Sequence, residues 1–190
     1  MQPIDESRLE SDLPYRYQYL SEFIGFGPDD VRRIHAVAPH LGPSVAALVE
    51  TTYRKLLSYD ATARHFVQHQ AGGPAGATGS LAELTDQHAN IRFRKEHLVR
   101  YLMQILGRAY DDRMVQYLDM VGKIHTSAAG NAEIVVPLVQ MNALMGHLSD
   151  VVSDAVTRLP IPPHELVPTL RAFQKLFWIQ NDLISRHYAR

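Results

Sequence analysis

The stretch YDDRMVQYLDMVGKIHTSAAGN, residues 110–131, continues after four further residues as VPLVQMNALMG, residues 136–146. Apolar residues recur in the first stretch with the period of an α-helix. At about 100° per residue, Met114, Leu118, Val121 and His125 fall within about 60° of one another around the helix axis. The pattern therefore predicts a helix over residues 111–125 that ends its apolar face on an imidazole.

A histidine at the end of an apolar face has two interpretations. His125 is either a core side chain bonded to a backbone carbonyl or the ligand of a metal cofactor. Neutral imidazole is the usual haem ligand of oxygen-binding proteins, and an apolar wall like this one keeps water out of such a site. The spacing by itself leaves both interpretations open.

Helical periodicity extends outward from this segment over almost the whole chain. Further helices are predicted over residues 13–24, from Pro28, over 43–58, 81–106 and 132–157, and from Leu166 to near the C-terminus. The breaks between them are rich in glycine or proline, as in QAGGPAGATGS at residues 70–80, which predicts a flexible surface loop, and LPIPP at 159–163. The helix over 132–157 is apolar on almost all sides and is expected to be central and buried. The pattern predicts one all-α domain of about seven helices spanning residues 1–190.

Two rows of side chains follow the helix predicted over residues 81–106. The apolar row consists of Leu84, His88, Ile91, Leu98, Leu102 and Ile105, and the polar row consists of Asn90, Arg94, His97 and Tyr101. The polar row is either a solvated flank or one wall of a ligand pocket. Tyr53, on the helix over residues 43–58, is likewise either a boundary residue or a hydrogen-bond donor into such a pocket.

The other histidines carry less specific expectations. His88 is expected to be a satisfied core residue, and His147 is a further candidate for the pocket lining. Solvent-exposed or capping positions are expected for His35, His40, His65, His69, His164 and His187.

Composition excludes several kinds of site. The chain contains no cysteine, so it cannot form disulfides, thiolate zinc sites, iron–sulfur clusters or a covalent c-type haem attachment. No glutamate is followed by histidine three residues later, which argues against a di-iron bundle. A net charge of −1 argues against nucleic-acid binding. The first residues form no signal peptide, and no apolar run approaches ~18 residues, so a cytoplasmic protein without a membrane span is expected.

The stretches at residues 110–131 and 136–146 resemble the segments around the proximal histidine of protoglobins and globin-coupled sensors. VGKIHT at 121–126 and NALMG at 142–146 are the specific part. YRYQYLSEFIGF at 15–26 and PDDVRRIHAVAPHL at 28–41 resemble the extra N-terminal helix and the first globin helix of these families, and TTYRKLLS at 51–58 resembles the segment that carries their distal tyrosine. The resemblance implies a globin fold with an extra N-terminal helix and a non-covalently bound haem b.

The resemblance also implies roles for individual residues. His125 matches the proximal iron ligand and Tyr53 the distal tyrosine. Arg94 and His97 fall 31 and 28 residues before His125, where sensor globins commonly have leucine and a small polar or apolar residue. The sequence departs from the family at both positions, and His97 is expected as a second iron ligand. The predicted cofactor site is completed by Leu98, Val121, Met141 and Met145.

The function expected from the resemblance is binding of oxygen, carbon monoxide or nitric oxide at the iron opposite His125, for gas or redox sensing. The alternative is a haem enzyme, such as a nitric oxide dioxygenase or a peroxidase-like activity, supplied by a separate reductase, because the chain lacks a nucleotide-binding glycine fingerprint. The chain is either a stand-alone globin or the sensory part of a longer protein, with an output domain or a reductase as partner.

A homodimer is expected through the last two long helices, because these carry more apolar surface than one haem pocket needs. The residues behind this expectation are Val135, Val139, Leu148 and Val152 on one helix and Leu166, Phe173, Phe177 and Trp178 on the other.

Overall fold

The fold was determined as a computed structural model, which describes residues 3–67, 80–81, 84–129 and 135–188. Within these residues the chain forms helices and no strands. The helices are α1 (Glu6–Ser11), α2 (Leu13–Ile24), α3 (Pro28–Leu41), α4 (Val45–Leu57), α5 (Asp60–Ala63), α6 (Ala89–Gly107), α7 (Asp112–Lys123), α8 (Leu138–Thr157) and α9 (Pro163–Ser185). Short 3-10 turns lie at Gly42–Ser44, Arg64–Phe66 and Ser127–Ala129. The predicted all-α fold is confirmed. Residues 70–79 of the predicted surface loop lie outside the described residues.

Capping side chains set several helix starts. The carboxylates of Asp5, Asp12 and Asp111 accept hydrogen bonds from backbone N–H groups in the first turns of α1, α2 and α7. Gly25, in the left-handed conformation at φ 73°, ends α2. The prediction for α2 is confirmed residue for residue, as is the start of α3 at Pro28.

The helix predicted over residues 81–106 begins later than expected, at Ala89. His88 lies before α6 in an extended conformation, and its Nδ1 atom accepts a hydrogen bond from the Asn90 backbone N–H. The prediction of His88 as a core residue is therefore wrong, because the side chain caps the helix instead. Similarly, α8 begins at Leu138 after Pro137, and residues 132–134 of the predicted helix lie outside the described residues.

The most buried helix is α9, not α8 as expected. Helix α9 packs against α8, α3 and α7. Its core residues are Thr169, Ala172, Phe173, Leu176, Phe177, Ile179, Gln180, Leu183 and Ile184. Helix α8 buries only one face, and Val139, Asn142, Ala143, Gly146 and Asp150 are exposed on the other. Periodicity counted apolar and small residues alike, and it therefore overestimated how much of α8 is covered.

Helices α7 and α9 cross at close range. An added Cβ atom at Gly122 would lie 2.7 Å from the Ile184 Cα and 2.8 Å from the Leu183 carbonyl oxygen. Only glycine allows the two backbones to approach this closely. The Gln180 side-chain amide also donates to the Leu118 carbonyl of α7 at 3.0 Å. These contacts fix α7, and with it the chain that leads to His125, against the centre of the fold.

Ion pairs connect α9 to the N-terminal helices. The Arg16 guanidinium of α2 donates two hydrogen bonds to the Asp182 carboxylate, at 2.6 and 2.9 Å. The Lys175 ammonium donates to both oxygens of Asp30 on α3, at 3.0 and 2.9 Å. Because the Arg16 pair is bidentate and largely shielded, it restricts geometry as well as adding attraction.

None of the described helices combines the length and apolar character that crossing a membrane requires.

Helices α6 and α7 pack against different neighbours, which leaves a space between them. Helix α6 packs mainly against α4 and α3, whereas α7 packs mainly against α9 and α2. Helix α8 contacts both α4 and α9. Residues from α4, α6, α7 and α8 together surround the cavity described next.

Candidate cofactor site

The space between α6 and α7 is a cavity of about 440 Å³. This volume lies in the range of pockets that hold small ligands and cofactors. All eight residues predicted for the cofactor site line it, namely Tyr53, Arg94, His97, Leu98, Val121, His125, Met141 and Met145. The fold thus brings together side chains that are far apart in the sequence, since Tyr53 and Met145 are separated by 92 positions.

His125 lies just beyond the end of α7, held by its own helix. Its backbone N–H donates to the Gly122 carbonyl at 3.2 Å. Its Nδ1 atom lies 2.7 Å from the Val121 carbonyl oxygen. Since a carbonyl can only accept, Nδ1 carries the proton in this contact, and Nε2 retains its lone pair. The two interpretations of His125 are therefore compatible, because the ring bonds to a backbone carbonyl and also lines the cavity.

Burial keeps the His125 imidazole neutral. Its pKa is lowered mainly by loss of solvent, and the nearby positive charge of Arg94 lowers it further, against the opposing hydrogen bond to Val121. A neutral ring is the form that can donate a lone pair to a metal. Further along the chain, the Val136 N–H donates to the His125 carbonyl at 3.0 Å, and the Tyr188 hydroxyl donates to the Val136 carbonyl at 2.7 Å. The backbone of His125 is thus anchored at both ends.

Tyr53 reaches the cavity from α4. Its side chain is 5% exposed, and its ring lies 5.7 Å from that of Phe66. Burial raises the pKa of Tyr53 well above its ordinary value, so the hydroxyl stays protonated and can act as a donor. Among the described residues, no hydrogen-bond partner of this hydroxyl is found, so the donor remains free for a ligand.

The polar row of α6 is not a solvated flank. Asn90 and Tyr101 are buried, and Arg94, His97 and Tyr101 line the cavity. The Arg94 guanidinium lies over the Phe66 ring at 5.0 Å from its centre. The His97 ring lies 4.2 Å from the Phe93 ring, and loss of solvent lowers its pKa. This row is therefore one wall of the cavity.

Sequence reasoning missed part of the lining. His65 and Phe66 lie in the 3-10 turn after α5 and face the cavity, although His65 was expected in solvent or at a cap. The turn is too short to show any periodicity, so no pattern in the sequence could have placed these side chains. His147 is not among the lining residues, and its buried Nε2 atom has no hydrogen-bond partner within the described part of the chain.

The donor set of the cavity fits a haem better than a metal ion held by protein alone. Three histidines line the cavity, and within residues 3–67, 80–81, 84–129 and 135–188 no cluster of three or more histidine or carboxylate side chains could hold a metal. A porphyrin supplies four nitrogen ligands of its own, so one imidazole from the chain is sufficient. The apolar remainder of the wall, with Leu98, Met141, Met145 and Leu148 among others, suits a flat hydrophobic ring.

Comparison with known proteins shows the family to which the chain belongs. The protoglobin family model matches residues 13–190. Comparison with curated proteins gives no match. The family match covers nearly the whole chain and includes every residue of the cavity lining. The chain therefore belongs to the protoglobin family, a family of haem-binding globins.

Proposed function

We propose that the chain binds haem b in this cavity, with the Nε2 atom of His125 as the iron ligand, and that it binds oxygen, carbon monoxide and nitric oxide on the opposite side of the ring. The observation that carries the proposal is the contact between His125 Nδ1 and the Val121 carbonyl. It fixes the tautomer and the direction of the ring, as the outer hydrogen bond of a metal-ligating histidine does. The lack of cysteine means that the haem is held without a covalent link.

The bound haem supplies an iron atom at which a diatomic gas can coordinate. The chain supplies the surroundings. His125 holds the group in place from the end of α7, and Leu98, Val121, Met141 and Met145 exclude water from it. Tyr53 presents a protonated hydroxyl to a ligand, and His97 presents a second imidazole. A dry pocket strengthens each of these polar contacts.

Gas sensing is the role that this arrangement supports best. His125 is continuous with α7, and α7 packs tightly on α9 at Gly122. A displacement of His125 on ligand binding would thus be passed to α9, and from there to α8, since these two helices pack against each other.

A direct test is titration of the apoprotein with ferric haem, followed by reduction and exposure to carbon monoxide. We expect a 1:1 endpoint in the Soret region and a shifted Soret band with carbon monoxide. Serum albumin, which takes up haem non-specifically, serves as the comparison. Absence of a stoichiometric endpoint, or a spectrum of free haem only, would refute the proposal.

A further inference from the structure

The charged side chains among the described residues that line the cavity are all positive. Its lining includes two arginines, Arg94 and Arg100, and three histidines, but no aspartate or glutamate among the residues that the structure describes there. Arg100 is exposed, whereas Arg94 is only partly exposed and stands beside the buried Tyr53 and Phe66. A positive charge moved out of water is unfavourable unless an opposite charge or hydrogen bonds compensate it.

Among the described residues Arg94 has no such compensation, in contrast to its neighbour in the chain. Lys95 is buried but forms ion pairs with Glu50, at 2.6 Å, and with Asp86. Arg16 and Lys175, also shielded from solvent, are likewise paired with carboxylates. In the described parts of the chain Arg94 has only the face of Phe66.

The charge of Arg94 acts on the whole cavity. Burial is the main cause that raises the pKa of Tyr53 and lowers those of His65, His97 and His125, and in all four cases the Arg94 charge adds a downward contribution. The guanidinium therefore lies within electrostatic reach of both sides of the cavity. It sits near the side chains that would surround a ligand, whereas Arg100 lies in solvent at the edge.

We propose that Arg94 is an anion-binding group within the cavity, and that the protein accepts small planar oxyanions such as nitrite there as ligands. This proposal rests on the proposed function, because the oxyanion would occupy the gas-binding side of the haem. A guanidinium presents parallel N–H donors that match two oxygens in one plane. The Tyr53 hydroxyl offers a further donor to the same ligand.

The test compares an anionic with a neutral ligand in the ferric protein. Nitrite and imidazole are titrated at constant ionic strength into the wild-type protein, Arg94→Leu, Arg94→Lys and, as matched control, Arg92→Leu, which removes an exposed arginine of the same helix that does not line the cavity. A charge-assisted hydrogen bond of ordinary strength predicts that Arg94→Leu raises the nitrite Kd about 10- to 100-fold. The imidazole Kd should change little. The nitrite Kd of Arg94→Lys, which keeps the charge but not the paired donors, should lie between those of the wild-type protein and Arg94→Leu. The nitrite Kd of Arg92→Leu should equal that of the wild-type protein.

Two results would overturn the inference. One is a nitrite Kd that does not change in Arg94→Leu. The other is faster haem loss in Arg94→Leu with an unchanged ratio of nitrite to imidazole affinity, which would mean that Arg94 pairs with a haem carboxylate. If Arg94→Leu fails to fold, Arg94→Gln, which keeps the length and polarity, replaces it.

A second measurement separates this inference from the proposed function. The unfolding temperature of the apoprotein is recorded in nitrite and in chloride at equal ionic strength, because a ligand of the native state raises it. A specific rise in nitrite that Arg94→Leu removes supports the anion site even if haem fails to bind. Haem binding without any nitrite effect in either experiment refutes the anion site and leaves the haem proposal intact.

Discussion

The Nδ1 atom of His125 lies 2.7 Å from the carbonyl oxygen of Val121, one helical turn earlier in the chain. The contact uses a carbonyl near the C-terminal end of α7, where carbonyls lack partners within the helix. It therefore satisfies a helix-end acceptor and directs the imidazole at the same time.

Tyr53→Phe tests the donor on α4. A hydroxyl that donates to a ligand with developing negative charge in a dry pocket is worth roughly 1.5–3 kcal/mol, so its removal should raise the oxygen dissociation rate about 10- to 100-fold. Carbon monoxide, which is less polar when bound, should respond much less. Stopped-flow replacement of oxygen by carbon monoxide measures both rates.

The matched control is Tyr110→Phe. The Tyr110 hydroxyl donates to the Ile105 carbonyl at 2.6 Å and does not line the cavity. This variant should lose stability without a change in oxygen dissociation. An unchanged rate in Tyr53→Phe would show that Tyr53 does not contact the ligand.

His97 is expected to coordinate ferric iron opposite His125, which would give a six-coordinate resting state. An external gas must then displace His97. The apparent affinity for the gas is reduced in proportion to the fraction of molecules in which His97 is off the iron. Electron paramagnetic resonance of the ferric protein should show a low-spin bis-imidazole signal that His97→Ala abolishes. His65→Ala removes the third histidine of the cavity lining and should retain the signal. A high-spin ferric spectrum in the wild-type protein would contradict the expectation.

Gly122→Ala tests the crossing of α7 and α9. The added methyl group would meet backbone atoms of Ile184 and Leu183 that cannot rotate away. We expect a loss of about 1–3 kcal/mol in the free energy of unfolding. Gly107→Ala is the control, because no atom lies within 4 Å of a Cβ at that position of α6. It should leave stability unchanged or raise it by up to about 1 kcal/mol. Urea unfolding of both apoproteins measures the difference, and equal stabilities would contradict the close packing.

The predicted dimer needs a correction in its residues. Leu148, Val152, Phe173 and Phe177 belong to the core and cannot form an interface. Of the predicted residues, Val135, which lies just before α8, Val139 and Trp178 are exposed, and Val167 of α9 is a further exposed apolar residue. Val139, Val167 and Trp178 are at least 60% exposed. We propose that the dimer forms through these exposed residues, because α8 and α9 pack against each other and large exposed apolar side chains are typical of interfaces.

Val139→Asp combined with Trp178→Glu should give a monomer in light scattering at micromolar concentration. Phe23→Glu, which replaces a more exposed aromatic residue on α2, should leave the assembly unchanged. Because Trp178 is the single tryptophan, its fluorescence in the wild-type protein should shift to longer wavelength on dilution through the dissociation constant. A wild-type protein that is monomeric at micromolar concentration would refute the dimer.

Features of the fold could be predicted where one local signal in the sequence dominates. Asp12 and Gly25 bound α2 by capping and by the left-handed conformation, so its bounds could be read directly. His125 was predicted to line a pocket because its apolar stripe and its family motif coincide, and it lies in the cavity lining. The start of α6 was not, because the His88 side chain competes with helical continuation by capping the next turn.

The lining of the cavity was predictable only for the long helices. Arg94, His97 and Tyr101 share one face of α6, and spacing alone places them together. His65 and Phe66 reach the same cavity from a turn whose course depends on tertiary packing. Within the described part of the chain no carboxylate pairs with Arg94, and this too depends on the folded arrangement, since Glu96 follows it by two residues but lies on the exposed side of α6.

The most direct test of the account is haem binding by His125→Gly, with and without added imidazole. The glycine variant leaves a space at the position of the ring and should bind haem weakly, with a spectrum that lacks proximal imidazole. Free imidazole should restore both the haem content and the wild-type carbon monoxide spectrum, while His97→Ala retains haem throughout. A His125→Gly protein that keeps the wild-type haem content and an unchanged spectrum without imidazole would contradict the assignment of His125 as the iron ligand.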